Sequence, residues 1–243
     1  MAANIVGKAD KLFPLTCIVW KLVEMIGMMS LTEKIYKAGL ADRPLSVSQI
    51  HRLLGGSDAR RYGQVNRALK AGELIKPRRG LYVLSPVYRK LPLHPFVLAQ
   101  QMLPGSCVSA ESALGFHGWI PESVYTVLSM THGGKSVTHE HAQLGKFEFR
   151  RMTTRTGYFL QSVVRHGLSE QAALIAEPLR ALLDLVYLRK LAWQGLGFLS
   201  DGMRIDQAQL GGITRLDVSR LTDVYTGKRE QVFLAGLQKS LGL

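Results

Sequence analysis

The sequence is short of cysteine and of acidic residues, and it has no long uncharged apolar run. Two cysteines, Cys17 and Cys107, occur among 243 residues, with no CxxC spacing between them. That excludes a disulfide framework, and a reducing cytoplasm is the simple expectation. The most apolar stretch, LFPLTCIVWKLVEMIGMM from Leu12 to Met29, is interrupted by Lys21 and Glu24. Its uncharged part falls short of the ~20 residues that a spanning helix needs, and no small-residue cleavage pattern follows. Neither a membrane span nor secretion is expected. Acidic residues number 18 against 31 Lys and Arg, a net charge of +13. A surplus of that size predicts an anionic partner: nucleic acid, a membrane surface or an acidic protein.

What is present is a chain that is 47% hydrophobic, long enough to bury a real core. Its length suits one large domain or two small ones. The surplus charge is concentrated. Between Arg43 and Lys90 there are eleven Lys and Arg, opposed only by Asp58 and Glu73, so nine of the thirteen surplus charges fall in that segment. A polyanion contact is therefore expected there.

The same segment carries the local signals of a winged helix-turn-helix. Ser30 or Thr32 can cap a helix running to about Leu40. Ser46 starts a second, with Val47, Ile50 and Leu53/Leu54 at helical spacing, and Gly55-Gly56 ends it. Ser57 caps a third helix, DARRYGQVNRALKAGEL, and residues 76–85 read as a hairpin turning near Arg78-Arg79-Gly80. On a wheel of about 100° per residue, Tyr62, Val65 and Leu69 form the expected buried stripe. Arg60, Gln64 and Arg67 fall opposite, where guanidinium and amide groups can pair with guanine and adenine edges in a major groove. Arg61, Asn66 and Lys70 flank that face. Lys76, Arg78 and Arg79 on the wing would meet the backbone or the minor groove.

After LSPVYRKLPLHP the character changes, and an α+β domain is expected over 91–243, following a winged helix over 29–90 and an N-terminal extension over 1–28. Met28 or Met29 is an alternative start. In the second domain, helices are expected over 95–102 and 109–116. Strands are expected in SVYTVLSM, KFEFRRM, GYFLQSVV and AALIA. EPLRALLDLVYLRKL reads as a helix, with further helices near 215–225 and 228–241.

Catalytic chemistry has little support. THGGKS ends like a phosphate-binding loop, but Ser129 stands where the full pattern needs glycine. His132, His139 and His141 crowd one expected loop without the spacing of a catalytic zinc site. No G-x-S-x-G elbow occurs, and Cys107 lies beside an apolar helix with no activating group, so burial is its expected fate. No metal, cofactor or catalytic residue is assigned.

SLTEKIYKAG, LSVSQIHRLLG and VNRALKAGELIKPRRGLYVLSP together resemble the N-terminal winged helix of the AbiEi family of antitoxins. CVSAESALGFHGWIPESVYTV is similar to that family's S-x-E-S-A-L…H-G helix and following strand. LIAEPLRALLDLVYL is similar to its A-x-P-x-K-A-L-x-D helix, with Pro178 and Asp184 matching and Arg180 where lysine is usual. The resemblance spans about residues 29–190 and leaves the tail beyond Leu191 unmatched. It implies a bacterial two-gene toxin–antitoxin operon of the abortive-infection kind. The winged helix would repress by binding promoter repeats on double-stranded DNA, which would suit two copies. The C-terminal domain would counteract a nucleotidyltransferase-like toxin without a stable complex. Within the two later motifs the residues themselves read mainly as structural. Ser109 and Ser112 would cap a helix that His117-Gly118 ends, and Arg180 would pair with Asp184 at i,i+4. A functional contact from Glu111, Ser112 or His117 is the other reading. Two competing functions remain open: a second domain that acts on a nucleotide, and a protein-binding adaptor with a basic wing.

Overall fold

The computed structural model describes residues 29–121 and 125–243. The expected extension over 1–28, including Cys17, lies outside the described residues.

The chain folds as the expected α+β arrangement: a winged helix-turn-helix followed by a six-stranded mixed sheet with helices. The first part runs α1 (Leu31–Lys37), β1 (Leu45–Ser46), α2 (Val47–Leu54), α3 (Asp58–Lys70), β2 (Leu74–Arg78) and β3 (Leu81–Leu84). Short polar side chains start each helix. Ser30 and Ser46 form capping boxes with Glu33 and Gln49, and the Ser57 hydroxyl accepts from the Arg60 N–H. Each satisfies a backbone donor that has no partner inside its own helix. Gly55 and Gly56, both at positive φ, make the turn between α2 and α3 that a side chain would strain.

The strands order β1-β3-β2, all antiparallel, and the β2–β3 hairpin turns through Arg79-Gly80. Strand alternation gives this small sheet two apolar faces. Leu45, Leu74 and Leu84 join Ile35, Ile50 and Val65 in the winged-helix core. Ile75, Leu81 and Val83 point the other way and belong to the core of the larger sheet. The hairpin is therefore shared between two cores. Asp42 adds to the junction: its carboxylate accepts from the Lys90 and Leu91 N–H groups, and its carbonyl accepts from Gln171.

The larger part contains α4 (Pro95–Met102), β4 (Cys107–Val108), α5 (Ala110–Phe116), β5 (Thr126–Thr131), β6 (Val137–His141), β7 (Gly145–Arg151), β8 (Val163–Leu168) and β9 (Gln171–Ala176). There follow α6 (Pro178–Arg189), a π-helical turn over Phe198–Gly202, α7 (Gln207–Gly211), α8 (Arg215–Thr222) and α9 (Lys228–Leu241). The sheet order is β6-β7-β5-β4-β9-β8, with β5/β7 and β4/β9 parallel and the other pairs antiparallel. α6 is buried along most of its length, between α5 and the C-terminal helices α8 and α9.

Two strand expectations change. GYFLQSVV is extended only at its end: residues 157–162 make successive turns, with Gly157 and Ser162 at positive φ, before β8 begins at Val163. His139 and His141 sit on β6 rather than in a loop, because VTHEH pairs in register with residues 145–149 of β7. Among the described residues no helix is long and apolar enough to cross a membrane.

Candidate nucleic-acid interface

α3 is held against the winged-helix core by Val65 and Ala68, its two buried residues. That contact sets which face looks outward, and it differs from the expected one. Tyr62, placed in the buried stripe from spacing, is 70% exposed. Ala68, too small to mark a stripe by eye, takes the inward position instead. Relative to the midpoint of Val65 and Ala68, ideal spacing sets Gln64 about 70° round, Tyr62 about 90°, Arg60 and Arg67 about 110–130°, and Gly63 and Lys70 about 170°.

Arg60, Arg67 and Lys70 are accordingly exposed. Gln64 is not on the outward ridge. It is half-buried, its carbonyl oxygen finds no hydrogen-bond partner among the described residues, and it lines a shallow cavity with Met29, Leu31 and Ala68. Arg61 is half-buried as well and pairs with Asp58 one turn back. Of the two acids in the basic segment, Asp58 is thus taken by Arg61, while Glu73 accepts a hydrogen bond from the Thr32 hydroxyl at 2.5 Å. Among the described residues, none of Arg60, Arg67, Lys70, Lys76 and Arg79 lies in an ion pair.

The wing is a short one. Lys76 and Arg79 are exposed, Arg79 at the turn itself. Arg78, expected to reach DNA beside them, is half-buried and lies near β6 of the larger sheet, close enough to help hold the His139 pKa down after burial. The reason is the second apolar face of the hairpin, which draws β2 onto that sheet.

The two later motifs meet in one buried polar cluster. Ser109 stands at the N-cap position of α5, as expected, but its side chain makes no capping hydrogen bond. Its hydroxyl donates to Asp184 at 2.6 Å. Arg180 donates through Nε to Asp184 at 2.9 Å and through Nη1 to the Gln161 carbonyl, and the Tyr225 hydroxyl donates to Asp184 at 2.6 Å. Arg180, Asp184 and Ser109 are all fully buried. Although burial opposes its charge, Arg180 is held firmly protonated, first by the Asp184 carboxylate. Burial and the same carboxylate push the Tyr225 hydroxyl pKa well up. The Cys107 thiol, buried beside them, is pushed up to about 12, as its expected burial requires. The i,i+4 pair was legible in the sequence. Tyr225 was not, because nothing local ties residue 225 to residue 184.

Ser112 bridges instead of capping: its hydroxyl donates to the Thr126 carbonyl and accepts from the Leu128 N–H, fastening α5 to β5. His117 ends the helix with Gly118 at positive φ, but its ring contacts the Ala176 carbonyl on β9 rather than the last carbonyls of α5. Glu111 forms an ion pair with Arg189, and both line a groove of about 620 Å³ with Leu128, Leu185 and Phe198. Among the described residues, no three His, Cys, Asp or Glu converge as metal ligands.

No family model and no curated protein matches the sequence. Among solved structures, the chain is similar to the Rv2827c protein from Mycobacterium tuberculosis. The TM-score is 0.55 at 15% identity, covering 87% of this chain and 80% of that one. At that identity the likeness is one of fold, and its span is too great for either half of the molecule alone.

Proposed function

We propose that this protein is a sequence-specific repressor that binds double-stranded DNA through α3. The observation that carries the reading is the outward face of that helix. Arg60, Arg67 and Lys70 stand exposed there with no ion-pair partner among the described residues, and Arg79 on the hairpin is exposed as well. A solvated surface ordinarily mixes charges of both signs. Here the two available acids are bound elsewhere, to Arg61 and Thr32. The antitoxin role, against a nucleotidyltransferase-like toxin, rests on the AbiEi-like motifs. The mutual hydrogen bonding of the buried Ser109, Asp184, Arg180 and Tyr225 side chains supports the scaffold reading of those motifs.

The test is a binding titration on DNA selected from a random pool. If roughly four to six phosphates are neutralised, log K falls against log salt with a slope near −0.9 for each. Arg60→Ala and Arg67→Ala each relax sequence preference at a base position, at a cost of ~1–3 kcal/mol, whereas Arg79→Ala weakens all DNAs alike. Equal affinity for selected and scrambled DNA at moderate salt would refute repression. Co-expression with the adjacent gene tests the antitoxin role, which fails if that gene is not toxic alone.

A further inference from the structure

We propose that Gly63 is the point at which α3 comes closest to the duplex, a reading that rests on the DNA-binding function above. Glycine is, after proline, the poorest helix former, and α3 carries one in its interior. Neither of the usual reasons for a glycine applies. Its φ is not positive, so the backbone does not demand it. A Cβ there would meet only the Arg67 Nη1 atom, at 3.9 Å, which is ordinary contact with the end of a flexible chain. Gly236 in α9 shows the contrast, since a Cβ at that position would collide with the Trp193 ring at 2.6 Å.

The position also faces away from the core, on the same side of the helix as Lys70, and is itself partly covered. It stands about 170° from the buried side by ideal spacing, between the exposed Arg60 and Arg67, which lie one turn away on either side. A side chain at the crest of a helix sets how deeply that helix can enter a groove. Without one, the backbone itself can approach base edges while the flanking guanidinium groups reach past it on both sides. The free protein gains nothing from this glycine. The gain would come in the complex.

The experiment uses the full-length chain and its Gly63→Ala and Gly63→Leu variants, with thermal unfolding read beside affinity for pool-selected DNA. The expected result is opposed movement. Gly63→Ala raises the melting temperature by roughly 2–4 °C and weakens specific binding by about tenfold, and Gly63→Leu weakens it further. A raised melting temperature with unchanged affinity overturns the proposal. A lowered melting temperature also overturns it, by showing that the fold needs the glycine. If the wild-type chain selects no sequence and Arg60→Ala changes nothing, the DNA-binding reading itself has failed, an outcome separate from failure at Gly63 alone.

Discussion

Three donors converge on the buried Asp184 carboxylate: the Ser109 hydroxyl, the Arg180 Nε–H and the Tyr225 hydroxyl. Removing one side of a buried ion pair leaves the other charge without compensation, which costs about 3–5 kcal/mol. Asp184→Asn is therefore expected to lower stability by that amount in urea unfolding. Ser109→Ala removes a single hydrogen bond to the same carboxylate and should cost less, about 1.5–3 kcal/mol. A larger effect from Ser109→Ala would mean that the hydroxyl does more than support Asp184. Tyr62 is the opposite case. At 70% exposure it packs little, so Tyr62→Ala should leave the unfolding midpoint nearly unchanged.

The β2–β3 hairpin is the element on which the two cores depend. Leu84 faces the winged-helix core and Leu81 the larger one, both nearly inaccessible to solvent. Truncating either to alanine should cost about 2–5 kcal/mol. Because one short hairpin serves both cores, each substitution is expected to lower a single shared transition. Two separate transitions, with Leu84→Ala moving only one, would show that the cores fold independently. This dual packing also explains why the wing is short and why Arg78 is drawn towards β6. The periodicity of residues 74–84 announces a hairpin, but no local pattern says that both of its faces will be covered. The helix starts, by contrast, were readable from Ser30, Ser46 and Ser57, whose hydroxyls act within three residues of themselves.

For the molecule as a whole, the histidines make stability fall on acidification. Burial lowers the pKa of His94, His117 and His139 below the ordinary 6.5, with Arg78 adding to the effect at His139. The unfolded chain then binds more protons than the native one once the pH drops below 6.5. Stability that is complete above that value is lost as pH falls towards the native pKa values. The melting temperature should accordingly be lower at pH 5 than at pH 7. His117→Asn, which removes one of these three shifted groups, should narrow that difference. A melting temperature that rises towards pH 5 would contradict this sign.

The sequence by itself determined the elements whose causes are local. These are the three capped helices and hairpin of the winged helix, the strand and helix around Pro178, and the concentration of positive charge between residues 43 and 90. It also brought Arg180 and Asp184 together, since four residues of helix are enough to do so. Only the tertiary structure decided which side of α3 looks outward, because that depends on whether Tyr62 or Ala68 meets the core, and spacing favours the larger residue. Only it joined Ser109 and Tyr225 to Asp184 across 75 and 41 residues of chain, and gave the Ser112 hydroxyl and the His117 ring partners on other elements instead of at the ends of their own helix. Such contacts form when distant segments exclude water together, and no window of sequence contains both partners.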